Sequence, residues 1–255
     1  MNYTFRVFLI FLMIVSELSI HAQDIKGKVI TGYQGWFSTP NSDTSLPYRK
    51  WWHWGTAHPS NPNALANYRY NISVPNRGMT FDLYPDISEY KADGAKLHDS
   101  GLGFHNLGNG NQTKSLLFSS ADPVVSRVHL KWMQQHNIDA LALQRFAVDV
   151  DPGGPLTNDP NWQDRKSHRD QVLSNMLAEA GNYGRKFYVM YDISGLENAG
   201  YTNQNWKFAI ERDWPDIVSR FNLLNNPAYA KEDGKPVVCL WGLGEIGRLG
   251  DLTTY

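Results

Sequence analysis

The chain alternates apolar runs of strand length with amphipathic segments of helix length, and this order constrains its fold more than any single motif. We predict a strand in each of four apolar runs: KVITGYQGWF (28–37), IDALALQRF (138–146), KFYVMYDIS (186–194) and PVVCLWGLG (236–244). Such runs of branched and aromatic residues are typical of strands that are buried on both faces. The alternation therefore predicts βα units around a parallel sheet.

Three intervening segments carry helical periodicity. The first begins at Asp122 and Pro123, which form an N-cap and first-turn pair. The second extends over about 166–183, and the third starts near Trp214 and Pro215. In each segment the apolar residues recur every three or four positions, so each helix is expected to bury one side against the sheet.

Long loops after the strands favour a barrel over a doubly wound sheet. The stretches 38–122 and 147–164 are rich in Gly, Pro and Trp, and loops on that side build the active sites of (β/α)8 barrels. A nucleotide-binding sheet would carry a glycine fingerprint after its first strand, and TGYQGWFSTP matches that fingerprint poorly. We therefore predict an α/β fold of the TIM-barrel type. Because a barrel needs eight strands and four are visible, we expect only its first half in this chain.

The first 22 residues have the pattern of an export signal. Arg6 gives a positive start, an apolar run extends from Val7 to about Ile20, and Ala22 provides a small residue for cleavage. An uncleaved anchor is the alternative, but Glu17 breaks a run that is shorter than the roughly 20 residues of a membrane span. We predict a signal peptide at 1–22 and a barrel domain at 23–255. We also predict a periplasmic or secreted bacterial location, without membrane contact after cleavage.

Charge and cysteine content argue against several classes of function. The formal net charge of −1 at pH 7 gives no basic field for nucleic-acid binding. The single cysteine, Cys239, allows no internal disulfide, and we interpret it as a small buried strand residue.

No His/Cys spacing predicts zinc, and Asp149 and Asp151 lack the spacing of a calcium loop. The glycine-rich stretch 101–110 is interpreted as a surface loop. We expect neither a metal nor a cofactor.

Aromatic residues make up 13% of the chain and gather near the first predicted strand. GYQGWFSTP (32–40) and KWWHWG (50–55) place Trp36, His53 and Trp54 in one short part of the chain. Sugar rings present apolar C–H faces on which aromatic rings stack, while polar neighbours bind the hydroxyl groups. We therefore predict that these three side chains bind a glycan. For each single ring, packing of the loop onto the barrel rim is the alternative.

Three charged residues at predicted strand ends are further site candidates. An enzyme that cleaves the predicted glycan would need two carboxyl groups roughly 5 to 9.5 Å apart, and Asp192 and Glu245 follow apolar runs where a barrel exposes its site. Their alternatives are a hydrogen bond to a neighbouring loop or arginine and the capping of a turn, respectively. Arg145 could bind sugar hydroxyls or orient a carboxylate. Its alternative is an internal salt bridge to Asp149, Asp151 or Asp192.

The order of these motifs resembles glycoside hydrolase family 99 and its neighbour, family 71. GYQGWFSTP with WWHW resembles the aromatic-W-aromatic-x-x-P stretch and the H-W pair with which that family begins. FDLYPDISEY and FSSADPVVSRVHLKWMQQHNIDALALQRF resemble its next stretches, so the similarity extends over roughly residues 30–245. The resemblance implies a (β/α)8 glycosidase that cuts a glycan, with endo-α-mannosidase as the best-known relative.

The chain departs from the family pattern where catalysis is concerned. The family's catalytic carboxylates lie in an E-W-x-E stretch near the end of the barrel, and this stretch is absent from the sequence. Gln34 replaces a tyrosine, and Gln144, Arg145 and Phe146 replace an S-W-aromatic triplet. We therefore expect an exported glycoside hydrolase whose main carboxylates lie beyond residue 255. A non-catalytic carbohydrate-binding protein, or an inactive truncated remnant, is the alternative.

Overall fold

A parallel sheet flanked by helices forms the centre of the computed structural model, which describes residues 24–39, 53–54, 83–106, 112–159, 162–245 and 249–250. The strands are β1 (Ile30–Tyr33), β2 (His98–Asn106), β3 (Gln112–Leu117), β4 (Ala140–Phe146), β5 (Lys186–Asp192), β6 (Lys231–Glu232), β7 (Lys235–Pro236) and β8 (Val238–Trp241). The α-helices are α1 (Ser88–Ala92), α2 (Pro123–Gln135), α3 (Ala147–Val150), α4 (Trp162–Glu179) and α5 (Lys207–Arg220). Short 3₁₀ helices cover Pro155–Asn158, Ala180–Tyr183, Glu197–Ala199 and Leu223–Asn225.

The central sheet has the order β1–β4–β5–β8, and all of its pairs are parallel. Ile30 of β1 lies opposite Ala140 of β4, which in turn lies opposite Lys186 of β5. Each strand is beside the one that precedes it in this sheet, without the reversal of order that marks the switch point of a doubly wound sheet. The predicted α/β class with a parallel sheet is confirmed.

The two inner strands carry the apolar core. Ala140 to Arg145 of β4 and Phe187 to Asp192 of β5 are all buried. Their apolar side chains share one cluster with residues of α2, α4 and α5, including Leu130, Met133, Val172, Leu173, Met176 and Ile217. Full burial of an aliphatic side chain of this size stabilises the fold by about 1.5–3 kcal/mol, so this helix-covered face holds the sheet together.

The two outer strands are more exposed than the sequence predicts. Ile30 of β1 and Val238 of β8 are exposed, and Trp241 of β8 exposes 57% of its surface. The prediction of strands buried on both faces is therefore wrong for β1 and β8, since neither has an outer neighbour among the described strands of this sheet. Cys239 lies in β8 as predicted, but it is only half-buried.

Two of the three predicted helices begin earlier than expected. Asp122 caps α2 as predicted, because its Oδ1 accepts a hydrogen bond of 2.8 Å from the backbone N–H of Val124. However, α4 begins at Trp162 instead of near Lys166. Helix α5 begins at Lys207 instead of near Trp214, and Pro215 lies inside it. A proline inside a helix removes one backbone hydrogen bond, which is why the sequence suggested a helix start there.

The long stretch 38–122 contains regular structure as well as loop. It includes α1 and an antiparallel hairpin of β2 and β3. The interpretation of 101–110 as a surface loop is wrong for 101–106, which belong to β2, whereas 107–110 lie outside the described residues. Because glycine residues interrupt the alternation of apolar and polar side chains there, the strand signal is weak.

The N-terminal prediction concerns residues that the structure does not describe. The predicted signal peptide, 1–22, lies outside the described ranges, so it stays a prediction. Within the described ranges, no helix combines the length and the apolar character that a membrane span requires.

A buried ion pair joins the sheet to helices α4 and α5. Nε and Nη2 of Arg145 donate to Oδ2 and Oδ1 of Asp213 over 2.6 and 2.7 Å, and Nη2 also donates to Oδ1 of Asp170 over 2.7 Å. The Tyr191 hydroxyl donates to the same Asp213 carboxylate over 2.7 Å. Burial opposes the charge of Arg145, but Asp213 and Asp170 outweigh burial and raise its pKa. The pair fixes both helices on one face of the sheet.

Replacing Asp213 with Asn should destabilise the fold, because it leaves the charge of a 3% exposed arginine with one carboxylate partner less. We expect Asp213→Asn to lower the free energy of unfolding by about 3 kcal/mol, measured by urea denaturation. Asp216 is a matched control, because it pairs with Lys166 and Arg220 at the protein surface. Asp216→Asn should cost less than about 1 kcal/mol. Equal losses in the two variants would contradict the structural role of the buried pair.

A histidine between two tyrosines lies in a separate aromatic cluster beside α2. Nδ1 of His129 is 2.9 Å from the Tyr33 hydroxyl, and Nε2 is 2.6 Å from the Tyr90 hydroxyl. The rings of Phe118 and Trp132 pack around it at centroid distances of 5.9 and 5.4 Å. Burial lowers the pKa of His129 to about 4. The imidazole is therefore neutral in the folded protein at neutral pH.

This lowered pKa makes the stability of the fold sensitive to acid. The unfolded chain binds a proton at this histidine near pH 6.5 and the folded chain only near pH 4, so stability is lost as the pH falls between these values. Between pH 7.5 and 4.5, the wild type should lose about 2–3 kcal/mol more unfolding free energy than His129→Gln, measured in urea. His136 is exposed, and His136→Gln should follow the wild type. The same decline in all three proteins would exclude His129 as the sensitive group.

Candidate functional site

Three rings stack beyond the carboxyl ends of β1 and β4, and we refer to Trp36, His53 and Phe146 as the aromatic stack. The Trp36 ring lies on His53, with centroids 4.1 Å apart and 14° between the planes. It also lies on Phe146, with values of 4.9 Å and 15°. A β-bridge between Ser38 and His53 brings His53 next to the segment that follows β1 and carries Trp36. The structure thus unites Trp36 and His53, two of the three predicted glycan-binding residues.

His53 closes the exposed end of this stack. Its φ of 56° lies in the left-handed region, which few residues other than glycine adopt. Partial burial lowers the pKa of His53 to about 4, and the positive charge of Arg169 acts in the same direction. The imidazole is therefore neutral at physiological pH and offers one donor and one acceptor nitrogen. Such a group can donate a hydrogen bond to a sugar hydroxyl or accept one from it.

Trp54 lies in the loop cluster next to the stack. Its indole N–H donates to the backbone oxygen of Phe118 over 2.8 Å, and its ring packs on Phe37 at 4.5 Å. The side chain is buried in the second apolar cluster of the chain. These contacts correspond to the alternative in which the ring packs the loop onto the rim, and Trp54 is not a member of the aromatic stack.

Asp192 lies at the end of β5, opposite Phe146 of β4 in the sheet register. Its Oδ2 accepts a hydrogen bond from the amide of Gln144, and its Oδ1 accepts one of 2.7 Å from the backbone N–H of Ser194. Successive side chains of a strand point to opposite faces, so Gln144 and Phe146 share a face while Arg145 points away from it. The predicted carboxylate is thus next to the stack, and it is also bound to its own loop. Gln144 had no assigned role in the sequence analysis.

Glu245 follows β8 and is exposed. It lines a shallow cleft with Ser194, Glu197 and Gly242, between the ends of β5 and β8. Glu197 supports one wall, because its Oε1 accepts a hydrogen bond of 2.7 Å from the backbone N–H of Leu249. Glu245 is therefore on the same edge of the sheet as Asp192, in a surface position.

Arg145 lies on the opposite face of β4 from the aromatic stack. Its guanidinium contacts Asp213 and Asp170 between the sheet and the helices, and the side chain is buried. This geometry corresponds to the internal salt-bridge alternative, although the partners differ from Asp149, Asp151 and Asp192. The sequence could not reveal these partners, because they belong to helices that are distant in the chain.

Arg169 of α4 is the site residue that sequence reasoning missed. Its Cζ lies 5.2 Å from the Phe146 centroid and 6.0 Å from the Trp36 centroid, within the range of cation–π attraction. Its Nη2 donates to Oδ2 of Asp149 over 2.9 Å. The signal was present in the sequence: Arg169 stands three and four positions before Val172 and Leu173, on the apolar side of the helix.

The acidic residues after β4 are bound to arginine residues. Asp149 pairs with Arg169 and with Arg165, the latter over 2.9 Å. Asp151 accepts hydrogen bonds of 2.8 and 2.6 Å from Nε and Nη2 of Arg212 and another from the Tyr201 hydroxyl. In the ranges that the structure describes, no group of three or more His, Cys, Asp or Glu side chains is arranged to hold a metal ion.

Comparisons with known proteins give a structural likeness only. No family model and no curated protein matches the chain. Similar solved structures include two of an endo-alpha-mannosidase of glycoside hydrolase family 99 from Bacteroides thetaiotaomicron. The structure with bis-tris-propane has 17% identity and a TM-score of 0.43, and the match covers 83% of this chain and 41% of that chain. The other has 19% identity and a TM-score of 0.40, with coverages of 83% and 44%. This chain thus spans less than half the length of either solved chain.

The stacked position of His53 can be measured directly through its pKa. We expect a pKa of about 4 in the wild type, followed through the imidazole proton resonances in an NMR titration. Trp36→Ala should raise this pKa toward 6.5, because it uncovers one face of the ring. Phe208→Ala is the control, since Phe208 lies exposed on α5. A His53 that titrates near 6.5 in the wild type would contradict the stacked arrangement.

Proposed function

We propose that this chain is part of an exported glycoside hydrolase with a (β/α)8 barrel, and that the aromatic stack is a glycan subsite. The observation that carries the proposal is the stack itself: the half-buried Trp36 lies between Phe146 and the exposed, neutral His53. Planar rings with a polar partner at the edge are suited to the C–H faces and hydroxyl groups of a sugar. Export is proposed from the pattern of residues 1–22.

The sheet supports the barrel part of the proposal. Its strands follow one another in chain order, as they do around a barrel, and both outer strands expose apolar side chains. We propose that β1 and β8 pair with further strands in a longer protein, since an open edge of a parallel sheet favours pairing. The stack and Asp192 lie at the carboxyl ends of the strands, where barrel enzymes build their sites.

For the described carboxylates we propose roles that assist the reaction, whereas other carboxyl groups cleave the glycosidic bond. Asp192, held by Gln144 and the N–H of Ser194, would orient sugar hydroxyls or assist proton transfer from the floor of the subsite. Glu245 would contact the glycan from the rim. We place the two carboxyl groups that cleave the glycosidic bond beyond residue 255, as the resemblance to family 99 implies.

A non-catalytic carbohydrate-binding protein is the second candidate. One observation favours it: both oxygens of Asp192 already accept hydrogen bonds within the protein, an arrangement that suits a positioning group. Stacking on an outer ring of the aromatic stack supplies affinity without chemistry, so the aromatic stack serves either function. The two candidates differ in whether a bond is cleaved.

The test compares this chain from Gln23 with the longest reading frame that contains it. Both are assayed for release of reducing sugar from α-mannans, α- and β-glucans and xylans, and for binding by calorimetry. Trp36→Ala should weaken binding of the preferred glycan by about tenfold, because it removes the ring that holds His53 and Phe146 in the stack. Phe208→Ala, an exposed aromatic on α5, should bind like the wild type.

The outcomes separate the candidates. Hydrolysis by the longer protein alone would support a glycosidase whose main carboxylates lie downstream, and it would name the substrate. Binding without hydrolysis by either protein would favour the binding module. Absence of both binding and hydrolysis would overturn the proposal that the aromatic stack is a glycan subsite.

A further inference from the structure

A small cavity lies between the sheet and α4, next to the aromatic stack. It is partly enclosed and has room for about one water-sized group. Most of its wall is apolar and is supplied by residues such as Val172 and Leu173, while Gln144, Arg145 and Arg169 also line it. Two arginine residues and no carboxylate residue are therefore among those that line this space.

Arg169 presents unpartnered donors here. The residue is 8% exposed, and its Nη2 is bound to Asp149. Nε and Nη1 are buried and have no hydrogen-bond partner in the part of the chain that the structure describes. Leaving buried donors unpaired is costly, and more so when they belong to a charged group. The rings of Phe146 and Trp36 attract the charge but are weak acceptors for N–H groups.

The charge of Arg169 is also incompletely balanced. Asp149 is its carboxylate partner, and Arg165 uses the other oxygen of the same group. Burial lowers the pKa of Arg169, Asp149 offsets only part of this effect, and the charges of Arg145 and Arg165 add to it. Arg145, in contrast, has two carboxylate partners on the helix side of the sheet. The cavity therefore favours a negative ligand over a neutral one.

We propose that this cavity is a binding site for a small monatomic anion such as chloride, held mainly by the Nε and Nη1 groups of Arg169. We infer a monatomic ion instead of sulfate or phosphate because the cavity has room for about one water-sized group. An anion here fixes the Arg169 guanidinium against Phe146 and Trp36, so it stabilises the aromatic stack from below. The site is distinct from the glycan subsite, and its existence does not depend on the proposed function.

The experiment is a thermal melt of the protein, in its longest reading frame, in sodium chloride, sodium bromide and sodium methanesulfonate at one ionic strength. Methanesulfonate is larger than either halide, so we do not expect it to enter the cavity. It therefore controls for the general screening of surface charges by salt. Chloride and bromide should each raise Tm by about 2–4 °C relative to methanesulfonate. Arg169→Gln should remove this difference. Arg165→Gln should keep it, because Arg165 pairs with the same Asp149 carboxylate but does not line the cavity.

A second measurement covers the case in which Arg169→Gln does not fold. Bromide-soaked crystals of the wild type should give an anomalous peak in the cavity, within hydrogen-bond distance of Nε or Nη1 of Arg169. Equal Tm values in all three salts would overturn the proposal. So would a water molecule at this position in crystals grown with halide, or a halide effect that survives Arg169→Gln.

Discussion

The buried ion pair between Arg145 and Asp213 determines how the rest of the structure is arranged. Because it draws Arg145 toward α4 and α5, strand alternation turns Gln144 and Phe146 to the opposite face. Arg145 thus faces α4 and α5, whereas Phe146 reaches the aromatic stack at the end of β4, where Arg169 of α4 also contacts it. A slip of one residue in this strand would exchange the faces and remove Phe146 from the stack.

The candidate site is built in two layers around this strand. The outer layer is the aromatic stack, which ends in a histidine held neutral by its surroundings. The inner layer is the cavity, where Arg169 supports the same rings with a charge that is only partly balanced. The two layers are in direct contact, because Arg169 lies over the rings of Phe146 and Trp36.

The parts of the fold that the sequence predicts are those with strong local signals. Strands β4 and β5 and the capped start of α2 follow from apolar runs and an Asp-Pro pair. The start of α5 was misplaced because Pro215 resembles a first-turn proline. Trp36 and His53 were predicted as site residues from composition, and the structure brings them together. The partners of Arg145 and the ring contacts of Arg169 depend on contacts between elements, which local patterns do not contain; the helical spacing shows only that Arg169 lies on the apolar side of α4.

The pairing of Ile30 with Ala140 has a consequence for the order in which the chain folds. Strands β4 and β5 are joined by a compact α4 connection, whereas β1 must find β4 across a far longer stretch of chain. Loop-closure entropy and contact order therefore favour a nucleus of β4, α4 and β5, with β1 docking later. The segment that carries Trp36 is then added to a preformed surface, so we expect it to open before the β4–β5 pair in local unfolding.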